Sequence, residues 1–400
     1  MADDATPDDK ATERLAKSFR DLSRKLGGIT LESVTLRNEV KRHVRRAEAA
    51  EATELVRESA AGPAGFGLDE VSAPTAVAAV AENDVVSAAR RAAEKVDNGE
   101  TSKVTAFERV SLEAIVHLTG RPPLRYTDGK VQPPPNDEGD NGRWRTFIAI
   151  ARKKINDASA SVGQVAIARE ARPRQHVGTA WRLGDDLIVT NRHVAFEFVR
   201  DNTIAPPEWA LDPRRPVIVD FNVTDAATTA RRFPAAELVY CAPEAHVDVA
   251  ILRLDKSAGA LPAPLPLDFE AGSVGRELSV AGSPEFRGEE VYVVGHPFRA
   301  IASQQSLTVF GKADGFKRCS PGLVTVLPND PPMSFEHDCS TLGGNSGSCV
   351  LSVSRHRVVG VHYGGADVEV ATSMGRANLA LALARLGQHR LATIFRQGRV

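Results

Sequence analysis

Three short segments of the sequence carry a serine, a histidine and an aspartate that together could catalyse acyl transfer. Ser346 lies in GGNSGS, His193 follows an apolar run in LIVTNRHVA, and Asp248 precedes another in HVDVAILRL. Acyl transfer at neutral pH needs a nucleophile, a base that takes its proton, an acid that orients the base, and donors for the oxyanion. Glycines on both sides of Ser346 allow a tight turn whose backbone N–H groups converge on one point. The three segments therefore contain every group that this chemistry needs.

Each segment has a simpler structural interpretation when it is taken alone. A GNSG sequence is often an ordinary turn, DVAILRL is often only the edge of a strand, and a lone His193 is more often a partly buried polar residue than a base. Their joint occurrence in the order histidine, aspartate, serine, each beside a run of strand length, favours a catalytic triad. Ser348 is also a serine beside a glycine, and it is the alternative nucleophile.

The second part of the chain has the pattern of a β-rich domain. From about residue 162, apolar runs of strand length alternate with clusters of Gly, Pro, Asn and Asp, which predicts an antiparallel barrel or sandwich. The strands are predicted over residues 165–168, 187–190, 217–221, 249–254, 291–295, 322–326, 349–353 and 358–362. Residues 377–395 return to helical spacing, which predicts a C-terminal helix.

The first part of the chain has helical spacing instead. Apolar residues recur there at intervals that place them on one helix face, as in Leu15, Phe19, Leu22 and Leu26. Further helices are predicted over residues 31–56, 75–96, 106–118 and 144–155. The proline- and glycine-rich residues 131–142 predict a linker or exposed loop. The fold class is therefore α+β multidomain, with a mainly α-helical region over residues 1–155 and the β-rich domain over residues 156–400.

In this order, GTAW…LIVTNRHVA, DVAILRL and GGNSGS resemble the chymotrypsin-fold serine peptidases, most closely their bacterial trypsin-like and glutamyl-endopeptidase-like branch. The resemblance covers residues 162–395 and implies an all-β domain of two packed antiparallel β-barrels with the triad between them. It implies that Ser346 attacks the scissile carbonyl, that His193 acts as base and then as acid, and that Asp248 orients the imidazole. The backbone N–H groups of Gly344 and Ser346 would form the oxyanion hole.

Two positions depart from the family pattern. Animal digestive relatives have an aspartate before the nucleophile, which pairs with a newly cut N-terminus, whereas Asn345 stands there in this sequence. That activation switch is therefore not expected. Cys349 stands where the family has a proline after the Gly-Ser pair, and we expect it to act as a small apolar filler.

The resemblance also indicates a substrate pocket made by Ser340, Thr341, His362 and Gly364. Ser340 occupies the position near the floor of the P1 pocket, and because it is not an acid, a preference for Arg or Lys at P1 is not implied. Thr341 and His362 match positions that contact the substrate carboxylate in glutamyl endopeptidases, which suggests a preference for acidic P1 residues. The alternative is that His362 is only a hydrogen-bonded strand residue.

The composition is typical of a soluble globular protein, with 42% hydrophobic and 25% charged residues among 400. A net charge of −1 argues against a nucleic-acid-binding surface over the whole molecule. Because the sequence has neither a secretory signal nor a stretch apolar enough to cross a bilayer, we expect cytoplasmic residence and no membrane partner. The four cysteines have no metal-ligand spacing, so free thiols are expected, and no metal or cofactor is implied.

Taken with the resemblance, the sequence predicts a bacterial serine endopeptidase that hydrolyses protein or peptide substrates. Residues 1–155 are expected to regulate or target it, through a protein partner or through self-association. Two other classes compete with this interpretation: a pseudoprotease that binds peptides without cleaving them, and a non-proteolytic esterase. The complete triad argues against the first class, and the fold resemblance argues against the second.

Overall fold

The structure is a computed structural model that describes most of the chain from Arg121 to Gly398. The described residues are Ala88, Arg91, Lys95, Lys103, 121–134, 141–168, 174–200, 208–225, 229–244, 247–270, 273–280, 283–298, 315–326, 333–365 and 378–398. Ala88, Arg91 and Lys95 are helical, within the helix predicted over residues 75–96. The helices predicted over residues 15–26, 31–56 and 106–118 lie outside the described residues.

The regular elements are numbered here in chain order. The strands are β1 Leu124–Thr127, β2 Lys130–Val131, β3 Val162–Ile167, β4 Gln175–Gly184, β5 Leu187–Thr190, β6 Val217–Asp220, β7 Arg232–Cys241, β8 Ala250–Leu254, β9 Gly275–Val280, β10 Ser283–Gly288, β11 Glu290–Gly295, β12 Arg318–Val326, β13 Ser334–His337, β14 Cys349–Ser352, β15 Val358–Gly365 and β16 Asn378–Ala382. The α-helices are α1 Asn141–Ser159, α2 Arg192–Phe196 and α3 Arg390–Gln397. Two 3₁₀ turns cover Lys256–Ala258 and Leu383–Arg385.

The strands form two closed antiparallel barrels of six strands each. The first barrel has the order β3-β4-β5-β8-β7-β6. The second has the order β11-β14-β15-β16-β13-β12, and β12 pairs back with β11 to close the ring. The hairpin β1-β2 extends the second barrel because β1 pairs with β12, while β9 and β10 form a separate hairpin. The predicted all-β double barrel is confirmed.

Side chains on the barrel strands alternate between two buried layers, as the two-residue period of a strand requires. In β5, for example, Ile188 belongs to the apolar core of the first barrel, whereas Leu187 and Val189 belong to a core shared by both barrels. In β11, Val293 lies in the core of the second barrel and Tyr292 in the shared core. Because these strands are buried on both faces, they appear in the sequence as continuous apolar runs.

Helix α1 is packed into the shared core and is not an appendage of the barrels. Trp144, Ile148 and Ile155 lie on one helix face at intervals of four and seven residues, and each is fully buried. The hairpin β1-β2 contributes Tyr126 and Val131 to the same core. The expected domain boundary at residues 155 and 156 falls inside α1, and the described residues 121–134 and 141–159 include side chains that pack with the barrels.

The segment predicted to be helical over residues 377–395 is only partly so. Asn378–Ala382 forms β16, which pairs with β13 on one side and β15 on the other, and the helix begins at Arg390. Alanine and leucine are strong helix formers, so the local preference of NLALA favours a helix. Two neighbouring strands override this preference because they satisfy its backbone groups and bury its side chains.

The four cysteine side chains, Cys241, Cys319, Cys339 and Cys349, are free and buried. Burial raises the pKa of the Cys241 and Cys319 thiols to about 12, so both stay protonated and unreactive at neutral pH. None of the helices in the described part of the chain is long and apolar enough to span a membrane.

We predict that Trp144→Ala will destabilise the barrels, although Trp144 lies upstream of both. A fully buried tryptophan contributes about 3–5 kcal/mol to the free energy of unfolding relative to alanine. Urea unfolding followed by circular dichroism measures this difference. The matched control is Ile150→Ala on the same helix, because Ile150 is 82% exposed and its loss should change stability by less than about 0.5 kcal/mol. Equal stabilities for the two variants would contradict the packing role of α1.

Candidate active site

The structure brings His193 and Asp248 together in a two-point contact. His193 Nδ1 lies 2.5 Å from Asp248 Oδ2, and the backbone N–H of His193 donates to Asp248 Oδ1 at 3.0 Å. One carboxylate therefore holds both the ring and the backbone of the same histidine. With the proton on Nδ1, the Nε2 atom has a free lone pair and can accept a proton.

Strand pairing within the first barrel creates this contact. Thr190 at the end of β5 pairs with Ala250 at the start of β8, so the residues that follow β5 meet those that precede β8. Asn191 then begins the short helix α2, and its side-chain Nδ2 donates to the backbone oxygen of Asp248 at 2.7 Å. The apolar run that adjoins each motif, β5 before His193 and β8 after Asp248, is thus what places its polar residue at the site.

Ser346 lies in a tight turn of the second barrel that touches the first. The backbone N–H of Thr179 in β4 donates to the Ser346 oxygen at 2.8 Å. Gly347 has φ of 90°, a left-handed conformation that favours glycine, and a Cβ there would lie 2.2 Å from the Thr179 oxygen. Close approach of the two barrels at the nucleophile therefore requires the glycine that follows Ser346.

The same turn offers two backbone N–H groups for which the described residues provide no acceptor. The N–H groups of Asn345, Gly347 and Ser348 donate to Leu342, His362 and Asn345 respectively. Within the described part of the chain, the N–H groups of Gly344 and Ser346 donate no hydrogen bond. These are the two groups that the sequence resemblance assigns to the oxyanion hole.

The Gly344 peptide is held by contacts that the sequence did not reveal. Thr179 Oγ1 donates to the Gly344 oxygen at 2.7 Å and accepts from the backbone N–H of His296 at 3.1 Å. The ring of His176 also lies against this turn, since a Cβ on Gly344 would be 2.7 Å from its Cε1 atom. Burial lowers the pKa of His176 to about 4, so the turn has a neutral ring beside it at physiological pH.

The structure contains no hydrogen bond between His193 of the first barrel and the hydroxyl of Ser346 in the second. Both hydrogen bonds of His193 go to Asp248, and none joins it to the hydroxyl of Ser346, another described residue. Such bonds are often long in a protein without substrate and shorten when substrate binds. His193 and Asp248 are thus in direct contact, whereas no hydrogen bond between His193 and Ser346 is formed.

The predicted pocket residues lie beside the nucleophile turn but differ in what they can offer a substrate. Ser340 is buried, and its Oγ donates to the backbone oxygen of Arg121 at 2.6 Å. Thr341 Oγ1 donates to Asn378 Oδ1 at 2.6 Å, and Asn378 was not predicted from the sequence. Gly364 has open space where a Cβ would lie. Both hydroxyls are therefore engaged by other groups of the protein, whereas no described atom lies within 4 Å of a Cβ built on Gly364.

His362 is a buried, neutral histidine. Its Nδ1 lies 3.3 Å from Nε2 of His337, and the backbone of Leu379 hydrogen-bonds the same ring. Burial, with His337 and then His193 nearby, holds the pKa of His362 well below its usual value. Burial alone lowers the pKa of His337 to about 3. A substrate carboxylate would therefore have to compete with Leu379 for this ring.

The two positions that depart from the family pattern are both buried behind the turn. Asn345 and Cys349 are 3% and 0% exposed. Ser348, the alternative nucleophile, is fully buried and its Oγ has no hydrogen-bond partner within the described residues. Ser346, by contrast, is partly exposed, so it is the serine of this turn that a substrate can reach.

No group of three or more His, Cys, Asp or Glu side chains within the described residues could hold a metal ion.

Comparison with solved structures finds two serine proteases among the matches. The serine endoprotease from Yersinia pestis is 19% identical with a TM-score of 0.38, covering 62% of this chain and 67% of that chain. The Rv3671c protease from M. tuberculosis, in its active form, is 18% identical with a TM-score of 0.36, covering 62% of this chain and 86% of that chain. Similarity at this level says nothing about the activity of this chain. No curated protein matches the sequence.

The sequence was also compared with models of protein families. Residues 178–361 match the family model described as a trypsin-like peptidase domain. The matched stretch begins at Gly178 in β4 and ends at Val361 in β15, so it includes His193, Asp248 and Ser346. Over residues 178–361 the chain is therefore similar to a trypsin-like peptidase domain.

Proposed function

We propose that this protein is a serine endopeptidase that uses Ser346 as nucleophile, His193 as general base and Asp248 as the group that orients His193. The observation that carries the proposal is the two-point contact of the Asp248 carboxylate with the ring and backbone of His193. A carboxylate in that position keeps the imidazole in one tautomer and stabilises the imidazolium that forms during reaction. The partly exposed Ser346, in a turn with two unused N–H groups, supports the same assignment.

In the proposed reaction, Ser346 Oγ attacks the carbonyl carbon of the scissile bond while its proton passes to His193 Nε2. The negative charge that develops on the carbonyl oxygen is stabilised by the N–H groups of Gly344 and Ser346. His193 then gives its proton to the leaving amine, which leaves an acyl-enzyme at Ser346. A water molecule, activated by the same histidine, attacks the acyl group and releases the acid product.

A preference for acidic P1 residues is a finer part of the proposal. It rests on Thr341 and His362, which lie beside the nucleophile turn. The neutral state of His362 means that any preference would come from a hydrogen bond to the carboxylate and from a proton gained on binding, rather than from a resident positive charge.

The role of the N-terminal region stays a prediction. The expected regulatory or partner-binding function concerns residues that lie largely outside the described part of the chain. Cytoplasmic residence likewise stays a prediction.

Replacement of the nucleophile is the first test. Ser346→Ala should lower peptidase turnover by a factor of about 10⁶, because the nucleophile is lost while the fold is kept. Ser348→Ala is the matched control, and because its hydroxyl is buried it should retain activity and still react with a fluorophosphonate. Mass spectrometry of the labelled protein locates the modified serine. Labelling that persists in Ser346→Ala would move the nucleophile elsewhere, and wild-type protein that binds peptides but is never labelled would be a pseudoprotease.

Replacement of the orienting acid is the second test. Asp248→Asn keeps the shape of the side chain, but its amide NH₂ faces the position of the Nδ1 proton and favours the wrong tautomer of His193. We expect kcat to fall by about 10⁴ with little change in KM, as measured with a chromogenic peptide. Near-normal turnover in this variant would show that another group orients His193.

The P1 preference can be measured with two peptides that differ only at P1, one with Glu and one with Gln. A charge-assisted hydrogen bond stabilises the charged side chain by about 1.4 kcal/mol more than its neutral analogue, so kcat/KM for Glu should exceed that for Gln about tenfold. His362→Gln should bring the ratio close to one. A wild-type ratio of one or less removes the acidic preference and leaves the peptidase assignment intact.

A further inference from the structure

The wall of the substrate pocket is tied to a segment that precedes the matched peptidase domain. Arg121 lies upstream of β1, outside the matched residues 178–361, and only 8% of its surface is exposed. Its backbone oxygen accepts the hydroxyl proton of Ser340 at 2.6 Å. Its guanidinium Nη2 lies 2.9 Å from Asp338 Oδ2. Arg121 thus contacts both Asp338 and Ser340, which lie two residues apart in the same short segment.

That segment, residues 338–341, is fixed on its other side as well. Asn378 Nδ2 donates to the Cys339 oxygen at 2.7 Å, and Asn378 Oδ1 accepts from Thr341 Oγ1. Asp338 Oδ1 accepts from the backbone N–H of Leu323 in β12 at 2.6 Å. The segment leads directly into the turn of Ser346, so its position sets the wall next to the nucleophile.

Charge gives this arrangement a consequence beyond packing. The Asp338 side chain is 29% exposed, and Arg121 is the cation paired with it. Without the guanidinium, a carboxylate would lie uncompensated near the pocket and would attract a cationic P1 side chain and repel an anionic one. Removal of the carboxylate would take one negative charge away from the same place and would shift the preference in the opposite direction.

We propose that Arg121 is a positioning residue of the substrate pocket, which holds residues 338–341 in place and neutralises Asp338 so that the pocket has no net negative charge. This proposal rests on the proposed peptidase function and extends it, because it assigns a residue upstream of the peptidase domain to P1 selection. The upstream segment then supports the active site, in contrast to the restraining role expected of the N-terminal region.

A charge-removal cycle in the full-length chain tests the proposal. The variants are Arg121→Gln, Asp338→Asn and the double variant, and the measured quantity is the kcat/KM ratio of peptides with Lys and with Glu at P1. Arg121→Gln should raise the Lys-to-Glu ratio at least threefold, and Asp338→Asn should lower it at least threefold. The double variant should return near the wild-type ratio, because neither charge remains. Arg125→Gln is the matched control: it lies on β1 near Asp225 and should leave the ratio unchanged.

A second readout separates pocket effects from damage to the fold. A small fluorophosphonate reacts with Ser346 without filling the P1 pocket, so its labelling rate should stay within about twofold of wild type in every variant. Labelling and cleavage that fall in parallel, or an unchanged Lys-to-Glu ratio in both single variants, would overturn the proposal. If Arg121→Gln does not fold, the shift in Asp338→Asn alone decides the outcome.

Failure of the peptidase assignment would be seen separately, as absent labelling of the wild-type protein. In that case the Arg121 and Asp338 variants are made in protein that also carries Ser346→Ala. The affinities of the Lys and Glu peptides for these proteins are then measured by fluorescence anisotropy, and their ratio replaces the kcat/KM ratio. Opposite shifts in affinity for the two single variants would still support the role of Arg121, whereas equal affinities across the cycle would exclude it.

Discussion

The hydroxyl group of Thr179 joins the two barrels at the candidate active site. It accepts a hydrogen bond from the His296 backbone, so its single proton is directed to the Gly344 oxygen. The backbone N–H of Thr179 holds the oxygen of Ser346. The carbonyl groups of Gly344 and Ser346, one on each side of Asn345, are therefore both held by one residue of the first barrel. Since His193 and Asp248 also belong to the first barrel and Ser346 to the second, this contact sets the geometry of the whole candidate site.

The shared core and one buried cation keep this contact in place. Side chains from both barrels, α1 and α3 pack together in a single apolar layer. Lys317, before β12, crosses this region: its Nζ donates to the Ser159 oxygen at 2.6 Å and to the Phe221 oxygen at 2.9 Å. Burial lowers the pKa of Lys317 to about 7, and the two carbonyl acceptors partly compensate for its desolvation. Groups that lie on different barrels keep a fixed arrangement only when the two barrels do not move relative to each other.

The parts of the structure that the sequence predicted well are those determined by local pattern. Strands buried on both faces, such as β5 and β14, appear as apolar runs, and His193 and Asp248 were found because each adjoins such a run. By contrast, β7 and β13 carry polar residues on an exposed or hydrogen-bonded face. Neither strand therefore appears in the sequence as an apolar run, and neither was predicted. Thr179 and Asn378 were missed because their roles arise from contacts with distant parts of the chain. Thr179 contacts Gly344, which is 165 positions away, and Asn378 contacts Thr341, which is 37 positions away. No local spacing encodes such contacts.

The placement of α3 bears on how the protein is made. Leu391 is fully buried in the shared core, and the ring of Phe395 packs edge-on against Trp181 in the first barrel. On the ribosome, α1 emerges before the first barrel, and the first barrel emerges before the second. Both α1 and the first barrel are therefore made before the second barrel and α3, with which they form the shared core. Closure of the second barrel requires β16, and covering of the shared core requires α3, which is synthesised last among the described elements. Because His193 and Asp248 are synthesised before β16 and α3, the candidate site is completed only when the last described elements of the domain have been made.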